Sequence, residues 1–300
     1  MIPVIPFTEG EANLDWLGLT DALAKGHDLP KAEIGDTFLY RGKDTLLSRA
    51  AWIDGMGIAV KSATLFPDNP KRDKPTINGS VTLYSDSDGT PEAIVDFHLV
   101  TKWKTAGDSL LAARKLARPD SRNILIVGAG TVGFSLVEAY GAGFPEAEFT
   151  VWNRTAAKAQ AMAENLGIGW AEDLEAAVKQ ADIIGCATMS TTPVLEGAWF
   201  QPGQHIDLIG AYRSDMREAD DTALARSKVF VDSFSTTIGH IGEIEDPLQR
   251  GVIARDDILA DFYELSAFER GPEDITLCKN GGGAHLDLMT ARYILECWQG

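Results

Sequence analysis

The sequence predicts an α/β fold, a doubly wound parallel sheet joined to a smaller α+β domain. Three observations carry that expectation. From Asn123 onward, short apolar runs alternate with segments of helical length, the pattern of strands buried on both faces of a parallel sheet. The first of these runs, NILIV, leads directly into Gly128-Ala129-Gly130-Thr131-Val132-Gly133 and then into an apolar helix. The first hundred residues show neither feature and read as short β-type runs broken by Gly, Pro, Asp and Asn.

Taken in order, ANLDWLGLTDALAKGH (residues 12–27) spaces its apolar residues three and four apart, as an amphipathic helix does. DTFLYRG, TLLSRAAWI, GIAVKSATLF, SVTLYSD and EAIVDFHLV follow as strands, and a half-sheet with one or two helices is the simplest account of them. TAGDSLLAARKLARPDS (residues 105–121) reads as a helix that ends in a Pro-containing linker. The domain boundary is placed there: residues 118–283 form the parallel-sheet domain, and residues 1–117 with 284–300 form the smaller one. In the parallel-sheet domain EFTVW, DIIGCAT, HIDLIGAY and KVFVDS are buried strands, and TAAKAQAMAENLG and LEAAVKQA are helices. The tail, AHLDLMTARYILECW, is a last helix able to pack back on the first domain.

Composition narrows the function classes. Three hundred residues suffice for two ordinary domains, and 45% hydrophobic with 24% charged residues is usual for a soluble globular chain. A net charge of −17 disfavours nucleic acid or an anionic membrane as a general partner, while leaving room for a local basic pocket that takes a small anion. Cys186, Cys278 and Cys297 are far apart and show no disulfide or metal-ligand spacing, so no metal and a reducing, cytoplasmic setting are expected. The opening MIPVIPFTEGEANLDW lacks the basic and apolar stretches of a signal peptide, and no apolar run is long enough to span a membrane.

A glycine triplet of this spacing is a weak signal alone. Here it follows an apolar strand, opens a helix and sits in a strand–helix–strand unit of about thirty residues, the context of a Rossmann-type dinucleotide site. Gly128 serves the tight turn, Gly130 lets backbone approach a pyrophosphate, and Gly133 allows close helix–strand contact. Thr131 and Val132 open the helix, whose free N–H groups attract the diphosphate. The next strand ends in VWNRT, so Asn153, Arg154 and Thr155 stand where an NAD site carries an acid. A carboxylate there would repel the 2′-phosphate of NADP, whereas a guanidinium attracts it. NADPH is therefore expected over NADH, with NADH possible; the competing reading makes Arg154 a solvated charge beside an Asn-capped helix. Ala187, Thr188 and Met189 after DIIGC, and Gly210 after HIDLI, fall at the carboxyl edge of the sheet and complete the expected cofactor set. Asp207 and Asp232 read as structural.

With those residues in place, the chain resembles the ornithine cyclodeaminase/mu-crystallin family over most of its length. The resemblance is carried by GIAVKSATLFPDN, LYSDSDGTPEAIVDFHLVTKWKTAGDSLLAARKLARPDS, the glycine loop, CATMSTTPVLEGAWFQPGQHIDLIGAYRSDMREADD and CKNGGGAHLDLMTA. It implies a homodimer whose small α+β domain dimerises and supplies much of the substrate site. It also implies a basic trio holding the substrate carboxylate, here Arg49, Lys61 and Lys104, the last departing from the family's usual Arg. An ammonium holds a carboxylate as a point charge and not as a planar fork. Without the resemblance, Lys61 and Lys104 read as surface lysines, although Lys61 sits inside an apolar strand pattern where an unpaired charge is unfavourable.

Two departures bear on the reaction. The catalytic Asp of ornithine cyclodeaminases is replaced by Tyr212 in IGAYRSDMREADD, and only twelve positions separate Arg49 from Lys61, leaving no strand for a second family acid. Mu-crystallin-like ketimine reductases share both the missing Asp and the WNRT strand end. The resemblance thus implies reduction of a small cyclic imino acid: Δ1-pyrroline-2-carboxylate to L-proline, and Δ1-piperideine-2-carboxylate to L-pipecolate. Lys61 is the first candidate to deliver the nitrogen proton, with Tyr212 as a pocket-lining or hydrogen-bonding alternative. Gly282, in Asn280 to Gly283, offers backbone able to approach the ligand closely, and His285 is either a polar contact there or a structural histidine. Ornithine cyclodeaminase or alanine-dehydrogenase-like activity, and a NADPH-dependent small-ligand binder like mu-crystallin, stand as alternatives.

Overall fold

The computed structural model describes residues 2–300. They form two compact units: one runs up to Lys104 and takes up again at Gly283–Gly300, and the other is Thr105–Gly282.

The first unit is built on a six-stranded sheet. Its strands are β1 (Val4–Ile5), β2 (Glu33–Arg41), β3 (Asp44–Ile53), β4 (Gly57–Leu65), β5 (Ile77–Tyr84) and β6 (Pro91–Asp96), in the order β1-β6-β5-β4-β3-β2. β2 to β6 are an antiparallel meander; β1 joins β6 in parallel. Burial alternates along β4, where Gly57, Ala59, Lys61 and Ala63 turn inward, as a period of two requires. Helix α1 (Phe7–Glu11) precedes α2 (Trp16–His27), which begins four residues later than the apolar spacing suggests. Asp15 explains the start: its carboxylate accepts the Gly18 N–H at 2.6 Å and caps the first turn. The C-terminal helix, Ala284–Gln299, packs on this sheet and on α2.

The expected strand EAIVDFHLV is corrected by the structure. It ends at Asp96, whose side chain accepts the Leu99 N–H at 2.9 Å and starts a helix at once. That helix, α3 (Phe97–Leu116), runs unbroken through Lys104–Thr105 and carries the chain into the second unit.

The second unit holds a seven-stranded sheet of parallel pairs. Its strands are β7 (Asn123–Val127), β8 (Glu148–Trp152), β9 (Gly169–Trp170), β10 (Ile183–Cys186), β11 (His205–Leu208), β12 (Lys228–Val231) and β13 (Thr276–Lys279), in the order β12-β13-β11-β10-β7-β8-β9. Every pairing is parallel, and β7, β10, β11, β12 and β13 are almost wholly buried. This is the doubly wound, Rossmann-type half of the expected fold. Helices α4 (Thr131–Gly143), α5 (Ala156–Leu166), α6 (Leu174–Gln180), α7 (Asp221–Arg226), α8 (Phe234–Thr237) and α9 (Gly242–Gln249) connect the strands, and the C-terminal helix is α10. β13 escapes a reading for apolar runs, because TLCK is four residues long and ends in a lysine. Lys279 is nonetheless fully buried and donates to the Leu208 carbonyl at 2.7 Å.

Candidate active site

In the first unit the meander lines up a polar row across the sheet. Asp36 on β2 pairs in register with Arg49 on β3, and Arg49 with Lys61 on β4. Directly opposed residues of antiparallel strands bring their Cβ atoms within about 5 Å, so two cations face each other in a setting that favours opposite charges. Two carboxylates compensate. Asp36 takes the Arg49 fork, Nε at 3.2 Å and Nη2 at 2.6 Å. Asp287, from α10, accepts from Lys61 Nζ at 2.8 Å.

Lys61 is 6% exposed. Its Nζ also donates to Thr101 Oγ1 at 3.0 Å and stands 4.6 Å from the centre of the Phe97 ring. Burial pushes its ammonium below the ordinary lysine range, with Asp287 opposing that shift and Lys104 and Arg49 adding to it. Burial alone would raise Asp287, yet Lys61, Lys104 and Arg49 together hold it below the usual carboxylate range. Lys104, on α3, is buried at 8% exposure. The three expected cations thus act on one carboxylate in the first unit. His285 is buried, its ring edge-on to His27 at 5.3 Å, and burial depresses it far enough to stay neutral. Asp36, Thr101 and Asp287 were not anticipated. Only Asp287 carried a signal, an acid on the apolar face of AHLDLM.

In the second unit the glycine loop bridges β7 and α4. The Gly128 N–H donates to the Trp152 carbonyl at 2.8 Å, and its φ of 120° is one that side-chain-bearing residues rarely adopt. A methyl on Gly133 would run into the Gly128 carbonyl oxygen, which keeps the helix tight on the loop. Gly130 caps α4 with open space where a Cβ would stand. Thr131, Val132 and Gly133 follow as the first helical residues, so their N–H groups precede the intrahelical ladder. The loop therefore fits a pyrophosphate: backbone is bare at Gly130 and donors converge at the helix start.

At the neighbouring strand end, Asn153 accepts the Ala129 N–H at 3.2 Å and donates to the Thr155 carbonyl at 3.0 Å. Its amide braces the turn, and Arg154 and Thr155 are left exposed. Ala187 hydrogen-bonds back to Val127 at 2.9 Å, and Met189 is 71% exposed. Thr188 and Gly210 are joined by a residue that the sequence did not suggest. Buried Glu218 accepts from Thr188 N at 2.7 Å and Thr188 Oγ1 at 3.0 Å through one oxygen. Its other oxygen accepts from Gly210 N at 2.6 Å and Ala211 N at 3.0 Å. Glu243 in turn accepts the backbone N–H groups of Glu218 and Ala219, at 2.5 and 3.1 Å. Burial and then the Glu218 charge push Glu243 up to about 7.

Tyr212 is 56% exposed on the turn after β11, with the Arg213 guanidinium 5.6 Å from its ring centre. Gly282 is buried with φ at 71°, and its N–H donates to Asp232 at 2.7 Å. Asp232 also accepts from Ser233 N and Thr237 Oγ1, and Asp207 accepts from Tyr140 and Asn280. Both acids therefore serve internal hydrogen bonding. Among the described residues no cluster of His, Cys, Asp or Glu is arranged to hold a metal, and no helix is long and apolar enough to cross a membrane.

Comparison with known proteins places these features. The model of the ornithine cyclodeaminase/mu-crystallin family matches residues 51–300. A Δ1-pyrroline-2-carboxylate reductase of Paracoccus denitrificans is 48% identical over 306 aligned positions, covering 99% of this chain and 97% of the relative. Ketimine reductase mu-crystallin of Rattus norvegicus is 30% identical, over 80% of this chain and 76% of its own. Among solved structures, the Thermococcus litoralis Δ1-pyrroline-2-carboxylate reductase in complex with NADH and L-proline superposes with a TM-score of 0.88. It is 26% identical and covers 99% of this chain and 97% of that one.

Proposed function

The chain belongs to the ornithine cyclodeaminase/mu-crystallin family, and on that premise we propose that it is an NADPH-dependent reductase of cyclic ketimine carboxylates. Δ1-Pyrroline-2-carboxylate, reduced to L-proline, is the first substrate; Δ1-piperideine-2-carboxylate, reduced to L-pipecolate, is the second. The observation that carries this reading is the opposed pair of half-buried Arg49 and buried Lys61, joined by buried Lys104 and steadied by Asp36 and Asp287. Such a cluster suits one small carboxylate. The likeness to reductases of this substrate supports the same choice.

When bound, NADPH supplies a hydride to the imine carbon. The protein's residues do the rest. Arg49, Lys61 and Lys104 neutralise and orient the ring carboxylate, and orientation of this kind contributes several kcal/mol to a reaction that must bring two centres into line. The ring nitrogen must carry a proton as its carbon is reduced, since negative charge would otherwise build up there. Lys61 is the proposed donor: burial has made its proton easier to give, and Thr101 and Asp287 fix where its ammonium points. Tyr212 and Gly282 are proposed as further substrate contacts, Tyr212 through its hydroxyl. Gly128, Gly130, Thr131, Val132 and Gly133 would hold the pyrophosphate. Asn153, Arg154 and Thr155 would hold the adenosine end, and Ala187, Thr188, Met189 and Gly210 the ribose and nicotinamide.

A cytoplasmic homodimer completes the proposal. The free cysteines suit a reducing compartment. Edge strand β2 exposes Phe38, Leu39 and Tyr40 at 48, 61 and 72%, an apolar edge of the kind that a second copy covers.

The test is a panel of pyrroline and piperideine carboxylates, ornithine, and pyruvate with ammonia, each offered with NADPH and with NADH. Stoichiometric cofactor oxidation with the cyclic imines, and none with ornithine or pyruvate, is expected. Ammonia release from ornithine with catalytic NAD⁺, or cofactor binding without oxidation of any member, would overturn the reading.

A further inference from the structure

Several buried acids of this protein share one hydrogen-bonding pattern. Asp207, Asp232, Glu218 and Glu243 each accept at least two hydrogen bonds from backbone or neutral side-chain donors. Asp287 is different. One of its oxygens accepts from Lys61, and the other is buried without a hydrogen bond. Its place on α10, 226 residues further along the chain than Lys61, caps no helix and closes no turn.

We propose that Asp287 is a positioning residue for the carboxylate site: its bond to Nζ aims the Lys61 ammonium and keeps it charged to higher pH than a buried lysine would otherwise reach. The groups around Lys61 define what Asp287 must counter. Arg49 faces it from β3 and Lys104 from α3, both repelling its charge. Thr101 gives a neutral oxygen and Phe97 the negative face of a ring, each a weaker partner than a carboxylate. Asp36, from β2, is engaged by Arg49. On α10, His285 faces His27 from α2 and adds no charge. Asp287 is thus the carboxylate in direct contact with Lys61. Its loss leaves a desolvated ammonium beside two cations, and the proton leaves more readily. For the identity of the ligand this rests on the imino-acid reading above; for the charge of Lys61 it does not.

The test follows Lys61 itself. In the full-length protein with lysine labelled at the ε-carbon, the Lys61 resonance is assigned by its loss in Lys61→Met and titrated in the wild type and in Asp287→Asn. The midpoint is expected to fall by about 1–3 pH units in the variant, the usual reach of an adjacent opposite charge. Calorimetric affinity for pyrrole-2-carboxylate, a planar monocarboxylate that needs no turnover, should begin to weaken at correspondingly lower pH. An unmoved midpoint, or an affinity loss equal at every pH, would overturn the proposal. Should Asp287→Asn fail to fold, recovery of the fold in Lys61→Met/Asp287→Asn would support the pairing, and continued failure would refute it. Neither readout uses imine or nicotinamide, so a failed substrate panel and a failed titration remain separate results.

Discussion

Replacing Glu218 by Gln tests how the second unit fixes its proposed cofactor contacts. The carboxylate accepts four hydrogen bonds, two on each oxygen. A glutamine has one oxygen. If it faces Thr188, its amide nitrogen meets the N–H groups of Gly210 and Ala211; if it is turned over, the nitrogen meets the Thr188 N–H, while the Thr188 hydroxyl can rotate to accept from it. The second orientation is the better one and still leaves the Thr188 N–H without an acceptor, and a buried donor left unsatisfied is unfavourable by about 1–3 kcal/mol. Part of this is returned, because Glu243 no longer sits beside a second charge. The net is a loss on the order of 2 kcal/mol, which lowers the melting temperature by roughly 4–8 °C for a domain of this size. Thr188 and Gly210 are also proposed cofactor contacts, so the KM for NADPH should rise at least about tenfold, equivalent to 1.4 kcal/mol, with the KM for the imine much less changed. Scanning calorimetry and initial-rate kinetics measure the two effects. An unchanged melting temperature with unchanged cofactor affinity would show that the four contacts do not brace the loops.

Arg154→Asp should weaken NADPH by roughly ten- to a hundredfold, the worth of one or two charge-assisted hydrogen bonds, and NADH far less; equal losses would refute the phosphate role. Glu243 has a folded value of about 7 against 4.5 ordinarily, so between those values the native state holds a proton that the unfolded chain has released. Its contribution therefore falls as pH rises through that window, reaching a penalty on the order of 3 kcal/mol above pH 7. His205, depressed to about 3 and neutral in the fold, acts oppositely below 6.5. The difference in urea midpoint between wild type and Glu243→Gln isolates the first effect. It should move in the variant's favour as pH rises from 4.5 to 7, and a constant difference would remove Glu243 as its source.

What could be read from sequence was local. The glycine loop announces itself because a tight turn, a bare backbone and a helix start need particular residues within six positions. The apolar strands of the second unit announce themselves because both faces are buried. Asn153 shows the limit: its letter suggested a donor for phosphate, and the structure uses the amide to tie β8 to the glycine loop. TLCK is silent for a similar reason, since a lysine does not advertise a buried strand until its carbonyl partner on β11 is known.

The amino-acid sequence by itself determined the fold class, the glycine loop and the identities of Arg49, Lys61 and Lys104. Tertiary structure decided what those cations do. Strand register alone sets Asp36, Arg49 and Lys61 in one row, and only the return of the C-terminal helix brings Asp287 to Lys61. Only the folding of the second unit lets Glu218 gather donors from two strand ends. Local conformational preference acts over a few neighbours and is written in them. The charge state of a buried group is set by what lies within a few ångströms in space, and here those neighbours come from opposite ends of the chain.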